Sequence, residues 1–358
     1  MSSPSGAVTV TGPEGWRPGA FKARVDEVLH RFMAQEADQL VAIDNSLGPV
    51  AEAMEAAVAD GKRLRAAFCY WGWRAAGQPD GEALVRAAAS MELVHAAAVV
   101  HDDLIDDSPL RHGRPTAHLA LRGAVEHHPG PGPAARALAM LVGDLLMSLA
   151  GQLFVTSGLP AAYLSRARPL WAALARELVA GECLEILHTG AAAPDTATSL
   201  KVVRYKTAKY TVEQPLLIGA LLGGAGERLR TGCSAYGLPL GEAFQLRDDL
   251  LGLFGDPGLT GKDGSDDVRG HRPTALLAET WRLAGEADRE HLRTLLAAGT
   301  ETDAVREVMR RLKAPDRIED MITARVEEAL HALDALNLPG PAATALTGLA
   351  HSAAVRRH

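Results

Sequence analysis

Aromatic side chains are scarce in this chain, at 4% of 358 residues, and the 47% apolar fraction rests on Ala, Leu and Val. The β-branched and aromatic runs that a large sheet needs are missing, so the core is expected from helices. Cysteine is equally sparse. Cys69, Cys183 and Cys233 are odd in number, far apart and outside any metal-ligand spacing. They argue against a disulfide framework and for a reducing compartment, which makes the cytoplasm the expected location. Excess positive charge is absent too. A net charge of −7 leaves no general nucleic-acid partner, which needs a basic face, yet it allows an anionic substrate in one basic cleft. The first twenty residues, MSSPSGAVTVTGPEGWRPGA, lack a basic start followed by an apolar block. They read as a flexible leader (1–20) and not as a signal peptide. No apolar run is unbroken at membrane length. The longest, Ala137 to Val155, is interrupted by Asp144, Ser148 and Gln152, which predicts a buried helix and no integral membrane span.

Helical periodicity is what the chain has throughout. After Phe21 the apolar residues recur at three- and four-residue spacing. The pattern predicts helices over 21–57, 62–76, 81–107, 134–157, 160–190, 198–224, 237–255, 273–298, 301–313, 315–337 and 340–355. Breaks carry turn residues, as in Asp60-Gly61 and Pro129-Gly130-Pro131-Gly132-Pro133. No interdomain linker or short repeat interrupts them. The expectation is an all-α fold, a single domain over 21–358, with long helices around a central cavity.

Two acidic clusters interrupt this apolar pattern. His101-Asp102-Asp103-Leu104-Ile105-Asp106-Asp107 ends a long helix, and Asp102 and Asp106, four apart, share one face. Like charges at this spacing repel. Hard divalent cations with oxygen ligands relieve that repulsion, and magnesium commonly takes one or two carboxylates plus substrate phosphates. A solvated acidic helix end is the plain alternative, weakened because acidic residues face the wrong end of the helix dipole. The second cluster, Asp248-Asp249 within Phe244–Gly252, lies in a similar apolar helix and is followed by Gly261-Lys262 and Asp266-Asp267. Three basic sets accompany them: Lys62-Arg63-Leu64-Arg65 after Gly61 at a helix start, Arg111-His112-Gly113-Arg114, and Lys206-Thr207-Ala208-Lys209. Each alone is an ordinary solvated charge run. Together with two metal clusters they describe a diphosphate pocket.

These residues resemble the trans-prenyl diphosphate synthase (polyprenyl synthetase) family. The resemblance runs in order through Gly-Lys-Arg-Leu-Arg (61–65), His95, HDDLIDD (101–107), RHGRPT (111–116), Gly143-Asp144, YKTAKYT (205–211), FQLRDDLLGLFGD (244–256) and TGK (260–262). It implies the isoprenoid synthase fold, a homodimer, and an active site in each subunit's cavity. It also implies three magnesium ions, bound by Asp102, Asp106 and Asp248, with Asp103 completing the catalytic cluster. By the same resemblance Arg111, Lys206 and Lys262 hold an allylic diphosphate, and Lys62, Arg65, His95 and the residue at His112 hold isopentenyl diphosphate. Thr207 and Gln245 lie near the developing cation. Ala98 and Ala97, four and five residues before the first Asp, set product length, and their small size implies a product past fifteen carbons, geranylgeranyl diphosphate. Leu146 or Met147 are alternatives for a deeper floor.

Departures from the family pattern fall mostly on the second-substrate side. His112 stands where a second Arg is usual, and imidazole is shorter and only partly charged near neutrality. Glu182 replaces a usual Gln, Glu185 a usual Asp and Gly252 a third Asp, while His271-Arg272-Pro273 replaces a usual Gly-Lys-Arg. Head-to-tail elongation is therefore weighed against a terpene-cyclase-like lyase that needs no isopentenyl diphosphate. A non-catalytic regulatory subunit is a further alternative, opposed by the retained Asp102, Asp103, Asp106 and Asp248.

Overall fold

The computed structural model describes residues 18–255, 268, 270–299 and 301–354. Fifteen α-helices carry these residues: α1 (Pro18–Ile43), α2 (Gly48–Val58), α3 (Leu64–Ala75), α4 (Glu82–Ile105), α5 (Ala117–Ala120), α6 (Pro131–Val155), α7 (Ala161–His188), α8 (Thr196–Val202), α9 (Gln214–Leu222), α10 (Glu227–Phe254), α11 (Ala275–Leu283), α12 (Glu286–Ala298), α13 (Thr302–Arg311), α14 (Ala314–Asp334) and α15 (Gly340–Ala354). A π-helix, Val203–Glu213, joins α8 to α9. The all-α expectation holds, and the strand content of the described residues is one two-stranded ribbon, β1 (Leu110–Arg111) with β2 (Arg114–Pro115).

Several helix boundaries differ from the expected ones for local reasons. The expected helix 21–57 breaks at Asp44, whose extended backbone lets its carboxylate accept the Ser46 N–H, and Pro49 then opens α2. The helix expected over 273–298 splits at Ala284-Gly285, both in extended backbone. Helix α10 starts ten residues before the expected 237 and runs through Gly237 and Pro239. The leader's residues to 17 lie outside the described chain, and its last three are already helical in α1.

The main core lies among α1–α4, α6, α7, α9 and α10, where Val25, Met54, Phe68, Leu93, Leu146, Leu174, Leu216 and Tyr236 are buried. A second apolar cluster packs α11–α14 onto α10 through Leu246, Leu250, Leu276, Val305, Ile318 and Ile322. Helices α4 and α6 are each long and apolar enough to cross a membrane, but α4 is mostly enclosed by the fold and α6 is buried along one face. The other face of α6 exposes Met140, Leu141 and Val155. Cys69 and Cys233 are buried thiols and Cys183 is an exposed one.

Two sets of glycines let helices touch backbone to backbone. A Cβ on Gly72 (α3) would land in the Leu216 carbonyl of α9, and one on Gly219 (α9) in the Cys69 carbonyl of α3. The π-helix is gripped from both sides. A Cβ on Gly181 (α7) would strike the Lys206 backbone, one on Gly241 (α10) would lie 2.6 Å from the Ala208 Cα, and one on Gly237 2.8 Å from the Glu213 Cα. Overpacking such a crossing costs about 1–3 kcal/mol or more. Gly72→Ala is therefore expected to lower the thermal midpoint by several degrees. Gly348→Ala, on α15 where nothing lies within 4 Å, is expected to leave it unchanged or raise it slightly, because Ala favours a helix over Gly. Equal melting of both variants in circular dichroism would contradict the crossing argument.

Candidate active site

Helix α4 ends at the first acidic cluster, and the chain turn there sends its carboxylates in different directions. Asp102 and Asp106 face inward, Asp103 is buried, and Asp107, in left-handed backbone, pairs outward with Arg136 at 2.5 Å. Across from α4, Glu182 and Glu185 project from α7. Asp102, Asp106 and Glu185 each offer an oxygen within 4.8 Å of the others. At an effective dielectric of ~20 each such pair repels by about 3–4 kcal/mol, so three pairs reach the order of a whole domain's stability. The arrangement needs cations.

Three basic side chains meet that need from three elements. Lys206, on the π-helix, donates to Asp102 Oδ1 at 2.9 Å and Glu185 Oε1 at 2.6 Å, and sits 3.0 Å from Glu182 Oε2. Arg111 grips Asp103 and reaches Asp102 Oδ2 at 3.4 Å. Arg272 forms an ion pair with Asp106. Arg111 is aimed by the hairpin β1–β2. Its two-residue loop, His112-Gly113, has both φ values positive, at 51° and 75°, the conformation such a tight ribbon requires. Burial works against the charge on Asp102, but Lys206 and then Arg272 and Arg111 more than offset it, and its pKa falls below the usual value. The Lys206 ammonium loses some ground to burial and regains more from Asp102, Glu185 and Glu182, so it is held firmly protonated. Burial pushes Glu182 up, and its Oε1 has no hydrogen-bond partner. Asp106 is pushed up to about 7, first by burial and then by the Asp102 charge.

The remaining expected residues form a wall behind this cluster. Thr207 donates to Gln245 Oε1 at 2.7 Å, and Gln245 donates to Asp249 Oδ1 at 2.7 Å, linking the π-helix to α10. Asp248, half-buried on α10, lies outside the three-carboxylate group. Arg65 donates to Tyr210 Oη at 2.7 Å and to Thr211 at 2.9 Å, with its guanidinium 4.4 Å from the Tyr210 ring centre. His95 Nδ1 lies 3.3 Å from the same hydroxyl. Burial, then Arg65 and Arg111, push that imidazole well below its usual value, so it is neutral.

Not every basic residue singled out from the sequence faces the cluster. Lys209 turns to Glu177 at 2.8 Å, and Arg63 is buried against Asp26 and the Val58 and Asp60 carbonyls. The start of α3 is not an open anion cradle either, because the Ala66 N–H donates to Glu92 of α4. Lys62 and His112 are exposed, and Lys262 lies outside the described residues. Ala98 is half-buried on the face that carries Asp102, whereas Ala97 is fully buried. Glu185 and Arg272 enter the site without having been assigned roles from the sequence. For Glu185 the signal was present: two acidic residues three apart in an apolar helix. A separate cavity of about 200 Å³, lined by His188, His271, Pro273, Leu277, Trp281 and Leu296 among others, includes none of these carboxylates.

Residues 49–312 match the polyprenyl synthetase family. The chain belongs to that family. A (2E,6E)-farnesyl diphosphate synthase of Mycobacterium tuberculosis is 35% identical over 224 residues, 63% of this chain and 57% of that protein. The chain thus spans just over half the length of this relative. The octaprenyl diphosphate synthase of Escherichia coli is 29% identical over 83% of this chain and 86% of that one. Among solved structures, a geranylgeranyl pyrophosphate synthase from Corynebacterium glutamicum, complexed with isoprenyl diphosphate and magnesium, is similar with a TM-score of 0.90 at 30% identity. It covers 96% of this chain and 100% of that one. The names of these relatives differ in product length.

The family's magnesium fits this donor set. Its oxygens are all carboxylate, half-buried and crowded beyond what they tolerate as free anions. The elevated Asp106 gives a test. Folded, it keeps its proton to about pH 7, while an unfolded chain loses it near 3.8. The folded state binds more protons in that window, so this site's contribution to stability falls as pH rises through it. A divalent cation restores the loss only where Asp106 is ionised. Magnesium is therefore expected to raise the melting temperature more at about pH 8 than at about pH 5.5. An equal rise at both pH values would count against the crowded-carboxylate reading.

Proposed function

We propose that this chain is a magnesium-dependent prenyltransferase. In this reading it condenses isopentenyl diphosphate head to tail with an allylic diphosphate to give a linear prenyl diphosphate, geranylgeranyl diphosphate being the preferred product. The observation that carries the reading is the convergence of Asp102, Asp106 and Glu185 with Lys206 and Arg272 on one point, above half-buried apolar residues of α4, α6 and α7. Family membership supports it. The unit is a single domain acting as a homodimer in the cytoplasm, consistent with free thiols and an exposed apolar face on α6.

The roles follow from charge and position. Asp102, Asp106 and Glu185 hold magnesium, with Asp248 taking a third ion from α10. When bound, those ions supply concentrated positive charge to the leaving diphosphate. Lys206, Arg272 and Arg111 exchange a carboxylate for phosphate oxygens, and the family resemblance gives Lys262 the same diphosphate to bind. As the allylic carbon–oxygen bond breaks, the diphosphate leaves with the electron pair. Thr207, fixed by Gln245, presents its hydroxyl oxygen and backbone carbonyl near the allylic cation, and apolar walls exclude water from it. Arg65, His95, Lys62 and His112 hold isopentenyl diphosphate on the α3 side. Its double bond attacks the cation, and the proton lost from the adjacent carbon passes to the released diphosphate. Asp103 keeps Arg111 aimed. No histidine has to act as base, in keeping with the neutral, Tyr210-bound His95.

Purified protein incubated with magnesium, isopentenyl diphosphate and C5, C10 or C15 allylic primers is expected to yield linear prenyl diphosphate by mass spectrometry, and none when isopentenyl diphosphate is left out. Hydrocarbon or alcohol formed from the allylic diphosphate alone would replace this reading with a cyclase-like lyase. Lys206→Ala is expected to lower kcat/KM by about 10²–10³-fold, the scale for losing one preorganised charge at the leaving group. His112→Arg is expected to lower KM for isopentenyl diphosphate. An unchanged KM would remove His112 from the second-substrate site.

A further inference from the structure

Helix α7 carries a single stripe from the charged cluster toward the helix's N-terminal half. Trp171, Ala175, Leu178, Glu182 and Glu185 follow the i, i+4, i+7, i+11, i+14 spacing of one helix face. The face beside it, through Gly181 and Glu177, is occupied by the π-helix. The Trp171 stripe therefore faces α4 and α6, with carboxylates at its upper end and an indole at its lower end. Opposite, α6 is fixed to α4 near the top, where Gly143 abuts the His101 ring and His101 Nε2 lies 3.2 Å from the Met140 carbonyl. One and two turns further down, Met147 and Gly151 are half-buried, and Ala98 of α4 is likewise half-buried. Buried apolar neighbours then take over. Phe154 stacks on Trp171 with ring centres 4.3 Å apart and planes 14° from parallel, and Met91 of α4 is 1% exposed.

The three walls close at one depth. Eleven residues separate Glu182 from Trp171, Gly143 from Phe154, and Asp102 from Met91, which is ~16 Å along each helix. An extended five-carbon isoprenoid unit spans ~5 Å from carbon–carbon bond lengths. With the diphosphate-bearing unit held at the carboxylates, three more units fill the space beneath.

We propose that the Phe154–Trp171 stack is the floor of the product channel and stops elongation at twenty carbons. This rests on the prenyl-transfer reading above. It moves the length-setting position away from Ala97, which is enclosed in the core, and from Leu146, which is fully buried. Ala98 and Met147 are wall, not floor. Flat aromatic contact suits the task, because a stacked pair blocks a hydrocarbon tail without a polar group that would need solvation.

The test is the product-length distribution from a C15 primer. Trp171→Ala is expected to shift the main product from C20 to C25 and longer, while Trp171→Phe, which can keep the stack, retains C20. Ala175→Trp places an indole four residues higher, ~6 Å along the helix, and is expected to stop the product at C15 when a C10 primer is used. Phe154→Leu opens the same floor from the other side and serves if Trp171→Ala proves unstable by circular dichroism. KM for the primer is expected to stay near wild type in each, because the floor lies far from the diphosphate. If the wild type elongates but Trp171→Ala, Phe154→Leu and Ala175→Trp all keep its length distribution, the floor assignment is wrong. If the wild type forms no linear product, the prenyl-transfer reading itself falls, and the floor with it.

Discussion

Crowding of negative charge is the constraint on which the rest of this structure turns. Asp102, Asp106 and Glu185 come from two helices that the fold holds apart, and their oxygens still lie within 4.8 Å. Free anions at that range would spread the helix ends. Lys206, Arg111 and Arg272 answer from three other elements, so the cluster is a meeting of α4, α7, the π-helix, the β1–β2 ribbon and the segment before α11. Remote parts of the chain are thereby tied to one point. Much of the apolar core serves to keep that point from relaxing.

The π-helix is the second organising device. A wider turn than the α-helix brings Lys206, Tyr210 and Thr211 onto one side and sends Lys209 to another. Lys206 thus reaches the carboxylates while Lys209 pairs with Glu177. Tyr210 and Thr211 meanwhile anchor Arg65. Glycines on both flanks make the geometry affordable, since a side chain at Gly181, Gly237 or Gly241 would push the neighbouring helix away.

Much of the fold was legible in the sequence because apolar spacing reports which face of a helix is buried, and that signal survives errors at helix ends. The acidic cluster at 101–107 was legible for a similar reason: Asp102 and Asp106 stand out against an apolar helix. What sequence could not supply was direction. Lys206 and Lys209 look alike in a row of residues, and only the π-helical turn separates a site residue from a partner of Glu177. Arg63 and Arg65 look alike too, and one proves to be an interior brace for Asp26. Arg272 was out of reach because its pairing with Asp106 depends on where an irregular segment runs in space. The break at Asp44 and the continuation of α10 through Pro239 were missed because a capping carboxylate and a tolerated proline are decided by neighbours.

Backbone contact at Gly181, Gly237 and Gly241 also bears on motion. Helices separated by side chains can slide by small rotamer changes, which is how shear movements work. Here there is no such cushion between α7, the π-helix and α10, so sliding would drive backbone atoms into one another. The backbone that carries Lys206 is consequently held in place. Arg111, on the β1–β2 ribbon, and Arg272, on the segment before α11, lie outside these backbone contacts.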